Sequence, residues 1–121
     1  MTRPRSEFVE FLLEQMQPLG NVEAKAMFGG YGIYHEGIMF ALVADDVLYL
    51  KTDDDNRARF HDRDLPAFQY DKNGIRYSMS YNEAPGKVYD DPDDMALWAS
   101  SAIGAARRNA ARNKPKRKNP A

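Results

Sequence analysis

The sequence predicts an α+β fold: a single mainly antiparallel sheet with N- and C-terminal helices, in the order α-β(3-4)-α-β(2)-α. Three observations carry this. Helical spacing of apolar residues is concentrated at the two ends of the chain. The middle is a series of short β-rich runs joined by tight turns. One of those turns is Asn73-Gly74, the strongest two-residue hairpin signal, because both positions accept positive φ.

Ser6 is placed to cap the first helix, with Glu7 and Glu10 near its positive end. Phe8, Phe11, Leu12 and Met16 follow at helical spacing, and Pro18-Leu19-Gly20 stops the run, so helix one is read over about residues 6–17. Strand candidates follow at 24–28, 31–34, 38–43 and 47–51, with turns at Gly29-Gly30, His35-Glu36-Gly37 and Ala44-Asp45-Asp46. Thr52-Asp53-Asp54-Asp55 reads as the start of a short helix through Phe60, its Asp side chains accepting from first-turn amides. Ala67–Tyr70 and Ile75–Ser80 then flank the Asn73-Gly74 turn. Ile75, Tyr77 and Met79 alternate with Arg76, Ser78 and Ser80, the pattern of a half-buried strand. Asp90-Asp91-Pro92-Asp93-Asp94 opens the last helix. Its apolar face is Met95, Trp98, Ala99, Ala102, Ile103 and Ala106, and Asn113-Lys114-Pro115 should end it.

The 121 residues suit one domain, and the 43% hydrophobic content suits a packed core. With no Cys, a disulfide framework, a thiol nucleophile and a Cys-ligated metal are excluded. No run of about 18 apolar residues occurs, and the N-terminus lacks a signal-peptide core, so a cytoplasmic, membrane-free protein is expected. The net charge of −1 conceals a polarised chain. Residues 1–106 form the expected domain and hold ten basic against eighteen acidic side chains. Residues 107–121 form a basic extension, the end of the last helix plus a tail, with no acid.

Candidate chemistry is sparse. Gly29-Gly30-Tyr31-Gly32 lacks the lysine and spacing of a phosphate loop and reads as a bulge or tight strand turn. Asp53, Asp54 and Asp55 do not follow calcium-loop spacing and read as helix caps. His35 and His61 are isolated. No catalytic residue, metal ligand or cofactor is assigned, and an enzyme is not expected. Tyr31, Tyr34, Tyr49, Tyr70, Tyr77 and Tyr81, with Phe40 and Phe68, could stack bases, but the acidic surroundings favour core or dimer-interface packing. The candidate nucleic-acid contacts are Arg107, Arg108, Arg112, Lys114, Lys116, Arg117 and Lys118, which could neutralise phosphates without reading sequence. The opposing readings are a solvated tail that complements the helix dipole, a tail folded over the acidic body, and a structural role for Arg107 and Arg108, which are still on the helix.

Met27-Phe28-Gly29-Gly30-Tyr31-Gly32-Ile33-Tyr34, then Gly37–Val43 and Leu48–Lys51, resemble the N-terminal domain of TfoX/Sxy competence regulators. Met79–Pro85 resembles a second block of that family and Trp98-Ala99 a third, over roughly residues 7–107. The resemblance implies an α-β(3)-α-β(2)-α domain similar to the secretion-chaperone-like arrangement. It also implies a bacterial cytoplasmic protein linked to transcriptional control of DNA uptake. Regulators of the family carry a second, C-terminal domain. The expected function is a regulatory or adaptor domain working by protein contact, with transcription machinery as candidate partner and weak DNA contact through the tail. The alternative is a dimeric interaction or chaperone-like module without a DNA role.

Overall fold

The computed structural model describes residues 6–27 and 29–113. Its elements are α1 (Glu7–Gln15), a 3₁₀ turn (Gln17–Leu19), β1 (Val22–Met27), β2 (Gly30–His35), β3 (Ile38–Ala44), β4 (Val47–Lys51), α2 (Arg57–His61), β5 (Ala67–Lys72), β6 (Ile75–Glu83), α3 (Lys87–Asp90) and α4 (Pro92–Asn113). The strands form one sheet in the order β1-β2-β3-β4-β6-β5, antiparallel throughout. The α+β class, the single antiparallel sheet and the helices at both ends agree with the sequence. Of the three or four strands expected before α2, four form.

The turn chemistry explains the meander. Glu36-Gly37, Asp45-Asp46 and Asn73-Gly74 all have both central residues at positive φ, between 50° and 84°. That is the turn whose twist matches paired strands, and Asp, Asn and Gly tolerate it best. Ser6 caps α1 as expected, its Oγ accepting from the Val9 amide at 3.1 Å. Pro92 is the first residue of α4, and the Asp91 carboxylate accepts from the Asp93 amide at 2.9 Å.

The helices cover one face of the sheet. Ile33, Ala41, Val43, Leu48 and Leu50 point into a cluster with Val9 and Leu12 of α1, Phe60 of α2, and Met95, Ala99 and Ala102 of α4. The α4 alanines bring that helix close over β3 and β4. Phe60 and Trp98 meet edge to face at 5.1 Å, which locks α2 against α4. Among the described residues, every buried side-chain polar atom is hydrogen-bonded.

Two expectations are corrected. The short helix starts at Arg57, later than expected, with no side-chain cap from Asn56; of the three aspartates only Asp53 caps the turn that leads into it, its Oδ1 accepting from the Asp55 amide at 3.0 Å and its carbonyl from the Arg57 amide at 2.9 Å. Ile75, Tyr77 and Met79 are not half-buried: they are 55%, 41% and 36% exposed. β4 ends at Lys51, opposite Tyr81. Residues 75–78 are therefore paired only with β5, while the Ser80 carbonyl still accepts from the Thr52 amide just past the end of β4.

Candidate interaction surface

Among the described residues, no helix lies on the second face of the sheet, which is closed instead by its own aromatic and Met side chains. Strand alternation places Leu42, Tyr49, Lys51 and Tyr81 opposite the helix-covered residues, and the pairs Leu42–Tyr49 and Lys51–Tyr81 are in register. Leu42 and Tyr81 are 3% and 7% exposed although they lie outside the helix-side core. Gly32 makes room for this layer: a Cβ there would sit 3.1 Å from Met39 Sδ, 3.1 Å from the Tyr34 ring and 3.3 Å from Met27 Sδ. Lys25 Nζ lies 4.8 Å from the Tyr34 ring centre and Lys51 Nζ 5.0 Å from that of Tyr81. Burial, and secondarily Tyr34 nearby, pushes the Tyr81 phenol up to about 12. Burial also raises Tyr49, helped by the carboxylates of Glu83 and Asp45.

From this floor an aromatic ladder runs outward along the last hairpin. Tyr49 meets Phe68 at 5.0 Å, Phe68 meets Tyr70 at 6.3 Å, and Tyr70 stacks on Tyr77 at 5.4 Å. Tyr70 and Tyr77 are directly opposite in register, as are Lys72 and Ile75. The hairpin is thus two-faced. Ile75, Tyr77, Met79 and Tyr70 form one side, all at least 36% exposed. On the other, Arg76 donates to Asp71 Oδ1 and Gln69 Oε1, each at 3.1 Å.

A second polar assembly ties down the end of α4. Arg108 grips Asp53 with two bonds, Nε to Oδ2 at 2.7 Å and Nη2 to Oδ1 at 3.1 Å. Its Nε also lies 3.2 Å from Asp55 Oδ2. Asp53 Oδ1 accepts from the Asp55 amide, and the Asp53 amide donates to Asn56 Oδ1 at 2.8 Å. Asn56 Nδ2 reaches the Lys51 carbonyl and the Ser101 hydroxyl, joining β4 to α4. Thr52 Oγ1 donates to Asn82 Oδ1, and Asn82 Nδ2 to the Leu65 carbonyl. The Arg108 guanidinium holds the Asp53 carboxyl below its ordinary range, outweighing the opposing effect of burial.

This assembly decides where the candidate nucleic-acid residues stand. Arg108 is committed to Asp53 and Asp55. Arg107 donates to Glu36 at 3.0 Å, with His35 Nδ1 at 3.4 Å. Arg112 is exposed near the end of α4. Burial lowers Lys51, with Arg112 and Arg57 adding to that and Asp53 opposing it. Lys114, Lys116, Arg117 and Lys118 lie outside the described residues. Among the described residues, two of the seven cations, Arg107 and Arg108, are bound to the body. Thr52, Asn56 and Asn82 were missed in the sequence, where an isolated polar residue at a strand end carries no sign of burial.

The other candidates resolve into structure. Gly29 sits in the β1–β2 turn at φ 81°, and a Cβ on Gly30 would overlap the Val43 carbonyl oxygen. Among the described residues, no group of three or more His, Asp or Glu side chains gathers to hold a metal. An open groove beside α2 and the start of α4 is lined by Arg59, Asp62, Arg63, Asp94 and Trp98, with Arg63 over the Trp98 ring at 5.4 Å. It mixes both charges, Lys87 among them, and no Ser, Thr, Cys or His side chain lines it. Among the described residues, no helix is long and apolar enough to cross a membrane.

The family model for the TfoX N-terminal domain matches residues 14–106. The DNA transformation protein TfoX1 of Aliivibrio fischeri is 30% identical over 76 residues, which cover 63% of this chain and 36% of that protein. The chain therefore matches little more than a third of the length of this curated relative.

Proposed function

The chain belongs to the TfoX N-terminal domain family, and from that premise we propose that it is a non-enzymatic adaptor in the control of DNA transformation, acting in the cytoplasm by protein contact. The observation that carries this is the outer face of the sheet, where an aromatic and Met layer without helical cover runs on into the exposed hairpin. Tyr and Met are enriched at protein interfaces, and a contiguous apolar patch on a folded domain usually marks one. The proposed targets are proteins of the transcription apparatus. Sequence-independent DNA contact is a secondary property of Arg112 and the tail cations. The ion pairs of Arg107 and Arg108 support that narrower assignment.

The test is genetic. Deleting the gene in the native host should lower transformation frequency, and the wild-type gene should restore it. A Tyr77→Asp/Met79→Asp variant should fail to restore it while keeping the wild-type circular dichroism spectrum. Leu97→Asp is the control, since Leu97 is 58% exposed on α4, away from this face. Unchanged transformation after deletion, or full rescue by the hairpin variant, would refute the proposal.

A further inference from the structure

We infer that the β5–β6 hairpin is a self-association surface, on which a second copy of this chain packs in an antiparallel two-fold pair. The inference rests on reading the outer face as a protein-contact surface, and it names what covers the hairpin end of that face.

The hairpin is amphipathic without an intramolecular reason to be. Only its base, Tyr81–Glu83, is paired to β4, and its tip is a two-stranded ribbon. Such a ribbon is marginal in water unless a third layer covers it. Tyr70, Ile75, Tyr77 and Met79 are 40%, 55%, 41% and 36% exposed on one side. At roughly 200 Å² per large side chain, those fractions leave on the order of 350 Å² of apolar surface on one face of one hairpin. A stable interface buries about 800 Å² per partner, so these four side chains supply around two-fifths of it. Phe68 and the aromatic layer at the hairpin base adjoin them.

Charge selects the occupant. A nucleic-acid strand or an anionic lipid surface would meet a body of ten basic and eighteen acidic side chains, so phosphate is disfavoured. The apolar centre of the patch carries no charge, so two identical copies meet there without repulsion. The charges stand at its ends. Lys72 lies opposite Ile75 at the tip, and Glu83 lies at the base beside Tyr49, all on the same face. Ile75 and Glu83 are each four residues from Met79 in β6, on either side of the irregularity in its pairing with β5. A two-fold axis near Met79 therefore brings the hairpin tip of each copy, with Ile75 and its β5 neighbour Lys72, towards Glu83 at the base of the other. A two-fold contact repeats every pairing, so this surface is complementary to itself.

The test is sedimentation equilibrium of the full chain over a concentration series. The wild type should be a dimer with micromolar Kd, and Tyr77→Asp should be monomeric with an unchanged circular dichroism spectrum. Lys72→Glu and Glu83→Lys should each weaken association by about tenfold, because each places like charges together at two sites. The two combined in one chain should restore wild-type Kd to within about threefold. A monomer at every concentration overturns the inference, as does a double variant no tighter than the singles. If the wild type is monomeric while the hairpin variant still loses transformation, another protein covers the hairpin and this inference alone falls. If the dimer forms, and its disruption leaves transformation intact, the adaptor reading falls and the dimer stands.

Discussion

Replacing Arg108 with Ala should destabilise the fold, although the residue sits in a run that reads as a nucleic-acid tail. Two charge-assisted bonds, at 2.7 and 3.1 Å, end on an Asp53 side chain that is only 9% exposed. Removing the guanidinium leaves Oδ1 with the Asp55 amide and strips Oδ2 of its Arg108 bond. Bonds to a charged group contribute about 1.5–3 kcal/mol. The Arg108 side chain is 41% exposed, so water can partly replace it, which favours the lower part of that range. A loss of about 2 kcal/mol corresponds to a Tm drop of roughly 8 °C for a domain of this size. Arg108→Lys should recover only part, because an ammonium cannot hold both oxygens in a fork. The sign of the pH dependence follows from the depressed Asp53 carboxyl. Its contribution is fully present above the ordinary value of 3.8 and is lost as pH falls through the lower folded value. The assay is thermal unfolding by circular dichroism at neutral pH and below 3.8. A Tm within about 1 °C of wild type at neutral pH would refute the reasoning.

Ending the chain after Asn113 should reduce the salt slope of any DNA binding. Ending it at Ala106 should also lower Tm, because it removes Arg107 and Arg108 from Glu36 and Asp53. Unfolding curves that coincide for the two truncations would contradict the clamp. Gly30→Ala should cost about 1–3 kcal/mol in denaturant unfolding, because its methyl group meets the Val43 carbonyl and the strands must part; an unchanged midpoint would show that the strands yield freely. Phe60→Ala should cost about 3–5 kcal/mol by opening a cavity beneath Trp98, and a loss under about 1 kcal/mol would mean that α2 does not anchor α4. In an alkaline spectrophotometric titration, Tyr81→Phe should remove the phenol that ionises at about 12. Because Tyr81 stays neutral in the fold while the unfolded chain ionises near the ordinary 10.0, its contribution to stability should fade between those two values. An identical titration curve for Tyr81→Phe would remove that assignment.

Local chemistry was legible in the sequence because its causes are local. Ser6 caps α1 and Asn73-Gly74 turns β5 into β6 through atoms only a few residues apart. The apolar spacing of Met95, Trp98, Ala99 and Ala102 gave the buried side of α4. The blocks around Gly29–Tyr34 and Met79–Pro85 pointed to the family that the comparison then matched over residues 14–106. The candidate surface was only half legible. The aromatic residues were visible, but alternation of Ile75, Tyr77 and Met79 with polar neighbours says only that a strand has two unlike faces. What lies against each face depends on where β4 ends and how far α4 reaches, and neither is encoded near residue 75. The basic run at the C-terminus was only partly legible for the same reason. Composition counts Arg107, Arg108 and Lys114 alike, whereas packing brings Glu36 and Asp53, 71 and 55 positions away, against the first two. The sequence by itself thus determined the end helices, the strands, most of the turns and the fold class, all set by short-range sterics and hydrogen bonding, while α3 went unread. Only the tertiary structure decided which charges are paired with the body and which apolar face lies outside the helical cover, because both depend on residues distant in the chain meeting in space.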